Sequence, residues 1–578
     1  MSRIDSACTN LRANRIVSDV GHFKNINVRF DELDTRVSGL EARVIPTPEL
    51  ITSTPTLELL TTRSLQAFAI ATQVAGEKYY ANFEQKTEYD TEIWSIDGIL
   101  YYPWLFSKTL KHDQATGLAR KEDVDALLVG DPHAAMDPGR VRKLEGIQTA
   151  DAFIIKGKDP QALQMKGFIP AHSLSGIAEM VEVYEQSLLR DLSLWEIQQG
   201  SHPDVKRALD VMNAYNDAGA YKGPVNSESG QVTGQELFRG IGQDETRGPY
   251  TSQFLVLPYS YNGVNIDQKY PMEDDVVATV DPINFINIQR GRVAGSPNYS
   301  GTKKYAFSGR VLGSYVHNDA MFQAYFSAAL ICYQAGFEFQ HTGNEVTTAW
   351  TSGGAPDGLG SLADVTLGAL RVAWNQKFNK FMKLRPEAMA WRIDHILKDQ
   401  FPAGDIKDHL AVASATLSAV LAKNGNGTYL LSSMYPEGSP THPSFPAGHA
   451  VVAGAAITVI KAFIKTHDAK YSPLLWPTDA KYSINGDTLL NYTGGDLTIV
   501  GELNKLASNI AIGRDWASVH YRADGDLGIE LGEQFAIYYL QIKLKEYASA
   551  LVPYFELEKM NGELIRITLT NITVVSKR

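Results

Sequence analysis

Residues 439–464 read SPTHPSFPAGHAVVAGAAITVIKAFI. Pro443 and Pro446 stiffen the approach, and Gly448 lets a ligand come close to the backbone where a helix begins. The free N–H groups of a first helical turn, with the helix dipole behind them, suit an anion. From Ala450 the stretch is apolar nearly all round, the mark of a helix buried in a bundle. His449 stands at the mouth of this helix and His442 seven residues before it. One histidine here would read as structural. Two flanking an anion-ready turn make a functional site an even alternative.

Working outward, three- and four-residue apolar spacing predicts helices over 318–336, 362–382, 387–399, 408–422, 448–465, 501–512 and 524–548. The same spacing predicts a helix over 57–85 and two helices across 175–217. Residues 222–308 are loop-rich and without a period, and 562–575 (GELIRITLTNITVV) is β-branched enough for a short strand pair. The class is mainly α with a minor C-terminal β-hairpin. The division expected is an unplaced N-terminal arm (1–60), a helical region with loop-rich excursions (61–310), a second helical region (311–550) and a short β tail (551–578).

Composition narrows the function. The 578 residues are 44% hydrophobic, which fits a globular chain. Lys and Arg number 54 against 65 Asp and Glu, a net charge of −11, so nucleic acid is not an expected partner. Cys8 and Cys332 are the only cysteines, which excludes a disulfide framework and a cysteine-based metal site. The N-terminus shows no apolar secretory core, and the longest apolar run, Ala450–Ile460, is too short to span a bilayer, so no membrane association is expected and the compartment stays open. Gly240-Ile-Gly242 and Gly358-Leu-Gly360 lack the third glycine and the strand–helix setting of a dinucleotide loop.

Two further stretches carry chemistry. In Trp374-Asn-Gln-Lys377-Phe-Asn-Lys380-Phe-Met-Lys383-Leu-Arg385-Pro386, helical spacing puts Trp374 and Lys377 on one face. Pro386 biases Arg385 out of helical geometry, so Arg385 sits at a boundary and can turn inward. Alone, this would read as a solvated basic face. In SNIAIGRDWASVHYRAD (508–524), Arg514 and His520 are six apart and converge only if the helix breaks between them. Asp524, four after His520, could orient the imidazole. Lys377, Arg385 and Arg514, the Gly448 N–H and the histidines make a set suited to a tetrahedral oxyanion.

Lys377…Arg385-Pro386, then Pro446-Ala-Gly448-His449, then Arg514…His520…Asp524 resembles the site of the vanadium-dependent haloperoxidases, which is shared with the type 2 phosphatidic acid phosphatase superfamily. HPSFPAGHA, NIAIGR, VHYRADGD, LRPEA and GPYTSQFL (248–255) are similar to the bromoperoxidases of red algae and cyanobacteria, and the resemblance covers about residues 230–545. It implies two four-helix bundles with the site in the C-terminal one. It implies vanadate as cofactor, with His520 as the vanadium ligand and Lys377, Arg385, Arg514 and the Gly448 N–H on its oxygens. His449 would be the acid–base group, and Lys377 would also polarise bound peroxide. The partners implied are hydrogen peroxide, halide and a small organic substrate, in a homo-oligomer that is often a dodecamer. A calcium ion is left open. His442 stands where the family's chloroperoxidases have an aromatic ring, which implies bromide and iodide rather than chloride. Trp374 is closer to the brown-algal and fungal pattern. Ala447 departs from the family's common Ser, removing a charge-assisted hydrogen bond of roughly 1.5–3 kcal/mol. The alternative with the same residues is an acid phosphatase with a phosphohistidine at His520.

Overall fold

The computed structural model describes residues 90–577 except 129–131, 153, 155, 164, 166, 275–277, 342–347 and 548–551. The arm expected over 1–60 and the helix expected over 57–85 lie outside the described residues. The described residues of 90–124 and 132–577 belong to one compact unit, which holds the elements below.

The framework is helical: α1 (Leu174–Leu189), α2 (Pro203–Asp217), α3 (Ala355–Asn375), α4 (Pro386–Leu397), α5 (Ser414–Asn424), α6 (Gly448–Phe463), α7 (Ile499–Trp516) and α8 (Arg522–Lys543). The all-round apolar sequence of α6 puts it at the centre of a four-helix bundle, packed on α3, α7 and α8. Every α6 residue except His449 is buried, and each Val or Ile so placed contributes roughly 1.5–3 kcal/mol. α6 and α8 approach closely enough that a Cβ at Gly454 would lie 2.0 Å from the Ile529 carbonyl oxygen, and one at Gly532 2.0 Å from that of Val451.

A second group of four is α1 packed on α2, α4 and α5, with α2 also on α5. Ser173 caps α1 by accepting from the Gly176 N–H at 3.1 Å, and Pro203 opens α2 where no donor is needed. The chain alternates between the groups: α3 lies in the bundle around α6, α4 and α5 pack on α1, and α6–α8 return to the first. The tie between α3 and α4 is Arg385, extended at φ −83°, ψ 156°, as a residue before proline should be.

Some elements differ from the sequence expectation. The helix expected over 362–382 is regular only to Asn375; Gln376–Phe381 is a π-turn, closed by Met382 at φ 50°. The stretch 408–422 is two helices, Ile406–Leu410 and α5, joined by a tight turn at Ala411–Ala413. A short helix, Leu194–Gln199, stands between α1 and α2. The tail is a three-stranded antiparallel sheet of β1 (Phe555–Glu558), β2 (Glu563–Ile567) and β3 (Ile572–Lys577), with β2 central. The expected hairpin is β2–β3; β1, with its acidic FELE sequence, completes it by pairing Phe555 opposite Ile567. Within 222–308, a small hairpin (Tyr259–Tyr261 with Val264–Ile266), an antiparallel strand pair (Tyr270–Glu273 with Tyr299–Lys304) and, between the strands of that pair, the helix Pro282–Gln289 interrupt the loops. No described helix is long and apolar enough to cross a membrane.

Candidate active site

The site lies where α6 begins. Ala447, in the N-cap position, supplies no side-chain cap, so the first turn of α6 keeps its donors for another acceptor. Around this end stand the π-turn after α3, Arg385, the end of α7 and the start of α8.

The π-turn carries Lys377 inward. Its ammonium is fully buried and donates to the carbonyls of Pro443 at 2.7 Å and Ser444 at 2.9 Å. Burial and then Arg385 push its pKa well below the ordinary lysine value. Arg385 is buried, and among the described residues no carboxylate forms an ion pair with it. Its Nε donates to His442 O (2.9 Å), one terminal nitrogen to Val519 O (2.7 Å) and to His520 Nε2 (2.9 Å), the other to His442 Nδ1 (3.0 Å). Burial, then Arg514, lowers its pKa to about 9, so it keeps its charge at neutral pH.

α7 ends at Trp516 and Ser518 takes φ 65°, the break that lets Arg514 and His520 face one pocket. Arg514 donates to the Val316 carbonyl and to the Tyr435 hydroxyl (3.1 Å) and lies over the Tyr435 ring. Its Nε is buried without a hydrogen-bond partner. His520 Nδ1 lies 2.9 Å from Asp524 Oδ2. Burial, then Arg385, Lys377 and Arg514, push its pKa well below 6.5, so the ring is neutral. With Nδ1–H donating to Asp524, Nε2 presents its lone pair to the cations. Asp524 is itself fixed by the Ser444 hydroxyl, by Tyr521 N (3.2 Å) and by Lys383 Nζ (3.4 Å).

The mouth is made by Trp374, His442 and His449. The Trp374 and His442 rings are 4.7 Å apart, and Trp374 Nε1 donates to Glu145 O at 2.8 Å. A Cβ at Gly448 would stand 3.0 Å from the Trp374 ring. Burial, then Lys377, keeps the His442 pKa well below 6.5. His449 Nε2 lies 2.9 Å from Asp319 Oδ1. Burial alone would raise the Asp319 pKa, but His449 and Arg514 hold it below its ordinary value.

The structure thus brings Trp374, Lys377, Arg385, His442, Gly448, Arg514, His520 and Asp524 to one pocket, with His449 beside it and bonded to Asp319. Sequence reasoning missed Asp319, Glu145, Ser444, Lys383 and Tyr435. Ser444 lay inside the quoted proline-rich stretch; Asp319 and Glu145 are 130 and 229 residues from their partners His449 and Trp374 and give no local signal. The donor set fits a tetrahedral oxyanion: Lys377, Arg385 and Arg514 around the single carboxylate Asp524, which is taken up by His520, with an Arg514 Nε lacking a partner among the described residues, an uncapped helix start and one imidazole lone pair.

A mainly helical, two-bundle protein with a cationic pocket around His520 is built to hold an oxyanion. Residues 365–547 match the VCPO second helical-bundle domain. The vanadium-dependent bromoperoxidase of Corallina officinalis is 29% identical over 490 residues, 74% of this chain and 80% of that one. That of Ascophyllum nodosum is 28% identical over 495 residues, 80% of this chain and 86% of that one. The homohexameric second vanadate-dependent bromoperoxidase from Ascophyllum nodosum shares the fold, with a TM-score of 0.79 at 24% identity over 93% of this chain and 97% of that one. The chain is thus similar to vanadium-dependent bromoperoxidases over most of its length.

Proposed function

We propose that this chain is a vanadate-dependent haloperoxidase that oxidises bromide and iodide with hydrogen peroxide: H₂O₂ + Br⁻ + H⁺ gives HOBr + H₂O, and the hypohalous acid halogenates organic nucleophiles. The observation that carries this is the geometry of His520: Nδ1 lies 2.9 Å from Asp524 Oδ2 and Nε2 lies 2.9 Å from Arg385, toward the cationic side of the pocket. Vanadate bound there would act as a Lewis acid that makes peroxide electrophilic toward halide.

Each residue has a role in this reading. His520 Nε2 offers the vanadium ligand, and Asp524 holds its tautomer. Lys377, Arg385, Arg514 and the Gly448 N–H would hold the vanadate oxygens, and the Lys377 ammonium would supply positive charge beside incoming peroxide. His449 takes a proton from the incoming peroxide and returns it to the leaving water, its ring held by Asp319. His442 and Trp374 line the halide approach. The reaction consumes one proton per turnover, so an acid–base group beside the pocket is required, which a storage protein would not need. The chain would act as a homo-oligomer, since an Ascophyllum relative is described as homohexameric; the finer expectation is a dodecamer, separable from a hexamer by light scattering.

The test is a paired assay. Apo-protein is given vanadate, bromide, peroxide and a halogen acceptor, and separately p-nitrophenyl phosphate in vanadate-free buffer. Vanadate-dependent bromination with negligible phosphate ester hydrolysis is expected. Hydrolysis without bromination would make the chain an acid phosphatase of the same superfamily.

A further inference from the structure

His317 follows the helix Gly309–Tyr315 and belongs to the turn that leads to the helix Gln323–Gln334. Both of its ring nitrogens face carboxylates: Nδ1 lies 2.7 Å from Glu273 Oε1 and Nε2 lies 2.9 Å from Glu437 Oε1. A neutral imidazole has one N–H and cannot donate to both. The His317 side chain is 6% exposed and that of Glu273 1%, so a carboxylate left there without a donor would be costly. Nearby cations are spent elsewhere. Lys108 pairs with Glu387, Arg142 with Glu145 and Arg310 with Asp191, and toward the clamp these three reach only the main-chain carbonyls of Glu437 and Glu273. Burial alone would lower the His317 pKa, but the hydrogen bonds to Glu273 and Glu437 raise it above the ordinary histidine value. Burial would raise Glu437, and His317 holds it below its ordinary value. The group is an imidazolium clamped from both sides.

The clamped ring lies flat against Tyr435, with centroids 3.6 Å apart and planes 6° from parallel. The Tyr435 hydroxyl donates to the Gly313 carbonyl at 2.9 Å and accepts from Arg514 at 3.1 Å. The second acceptor of Arg514, the Val316 carbonyl, belongs to the residue before His317. Two residues after His317 stands Asp319, whose Oδ1 lies 2.9 Å from His449 Nε2. Asn318 and Ala320, on either side of Asp319, are exposed and add little packing to the turn. The clamp is therefore a fixed point beside both acceptors of Arg514 and beside the partner of His449.

We propose that His317 is a positioning residue for two sides of the pocket at once. Held between Glu273 and Glu437, it sets the place of Arg514 through Tyr435 and Val316, and the place of His449 through Asp319. The first half concerns oxyanion binding alone; the second rests on the haloperoxidase reading.

The test measures the two halves separately: vanadate affinity by calorimetric titration of apo-protein, and bromide turnover at saturating vanadate. His317→Ala should weaken vanadate by about 10- to 100-fold and slow turnover by about tenfold, the scale of a lost charge-assisted hydrogen bond and of a misplaced reacting group. Tyr435→Phe should act mainly on vanadate affinity and Asp319→Asn mainly on turnover. A histidine that serves folding alone would lower unfolding stability in H317A and leave both readouts within about twofold, and that result would overturn the proposal. Loss of one readout without the other would overturn the joint role. Should H317A fail to fold, Glu437→Gln decides. Glutamine keeps a hydrogen bond to a now neutral ring but removes the charge from it, and both readouts should fall by about threefold to tenfold. If neither moves, the clamp does not position the site. If the unaltered protein binds vanadate but does not brominate, the haloperoxidase reading fails, while the vanadate titrations of the His317, Glu437 and Tyr435 variants still decide the first half.

Discussion

Two buried arginines divide the molecule. Arg522, at the start of α8, meets Glu182 through its Nε at 2.8 and 3.1 Å and Asp526 at 3.3 Å. Burial would lower its pKa, but Glu182 and the other anions raise it well above the ordinary value. Arg385 is as deeply buried but spends its donors on carbonyls and imidazoles, and burial with Arg514 lowers it to about 9. The first region closes its charge on itself and is a structural joint. The second sets three cations around one carboxylate, Asp524, which His520 already engages, an excess of positive charge suited to an anion from outside. Burial alone does not distinguish them; the missing carboxylate does.

The proton chemistry beside the open region should give the largest effect. His449→Ala should leave vanadate binding largely intact and slow bromide turnover by about 10²–10⁴-fold, the range for a general acid–base group. An unchanged rate at saturating peroxide would remove His449 from the reaction.

The closed region should reveal itself in stability. Arg522→Met strands Glu182 and should cost about 3–5 kcal/mol in denaturant unfolding of the apo-protein. Arg385→Met should cost less under the same conditions and instead weaken vanadate binding. Equal losses of stability would erase the distinction between the two regions.

Smaller effects sharpen the open region. Ala447→Ser should place a hydroxyl at the start of α6 and tighten vanadate by about 1.5–3 kcal/mol. Reconstitution of apo-protein across a vanadate titration measures it, and an unmoved midpoint means that the hydroxyl does not reach the oxyanion. His442→Phe should shift activity toward chloride, because an apolar ring dries the pocket and strengthens the charges in it. It should also flatten the acid limb of apo-protein stability. His442 stays neutral in the folded protein, whereas the unfolded chain protonates it below about pH 6.5. The unfolded state therefore binds more protons, and stability falls as pH drops through that region. The variant should lose about 1.4 kcal/mol per pH unit of that slope, one proton's worth.

Much of the site could be read in the sequence because its residues sit in three short stretches with local geometric rules. Pro386 fixed Arg385 as extended, and the apolar run from Ala450 marked α6 as a central helix with an open start. The break between Arg514 and His520 was required for convergence but not located; it falls at Trp516–Ser518, ahead of the cap of α8. The π-turn at Lys377 was not legible, since apolar spacing does not separate an i→i+5 turn from a regular one. Nor was the pairing of α4 and α5 with α1, which depends on contacts across some two hundred residues. Asp319 was missed for the same reason: it matters through what folding brings against it.

The most direct test of the open-cation account removes the one lone pair within it. Unaltered protein and His520→Ala are loaded with vanadate, dialysed against vanadate-free buffer, and assayed for vanadium content and bromide oxidation. The account predicts that the unaltered protein keeps its vanadium and activity and that the variant loses both while remaining folded by circular dichroism. A folded variant that retains full vanadium and full bromide turnover would contradict it.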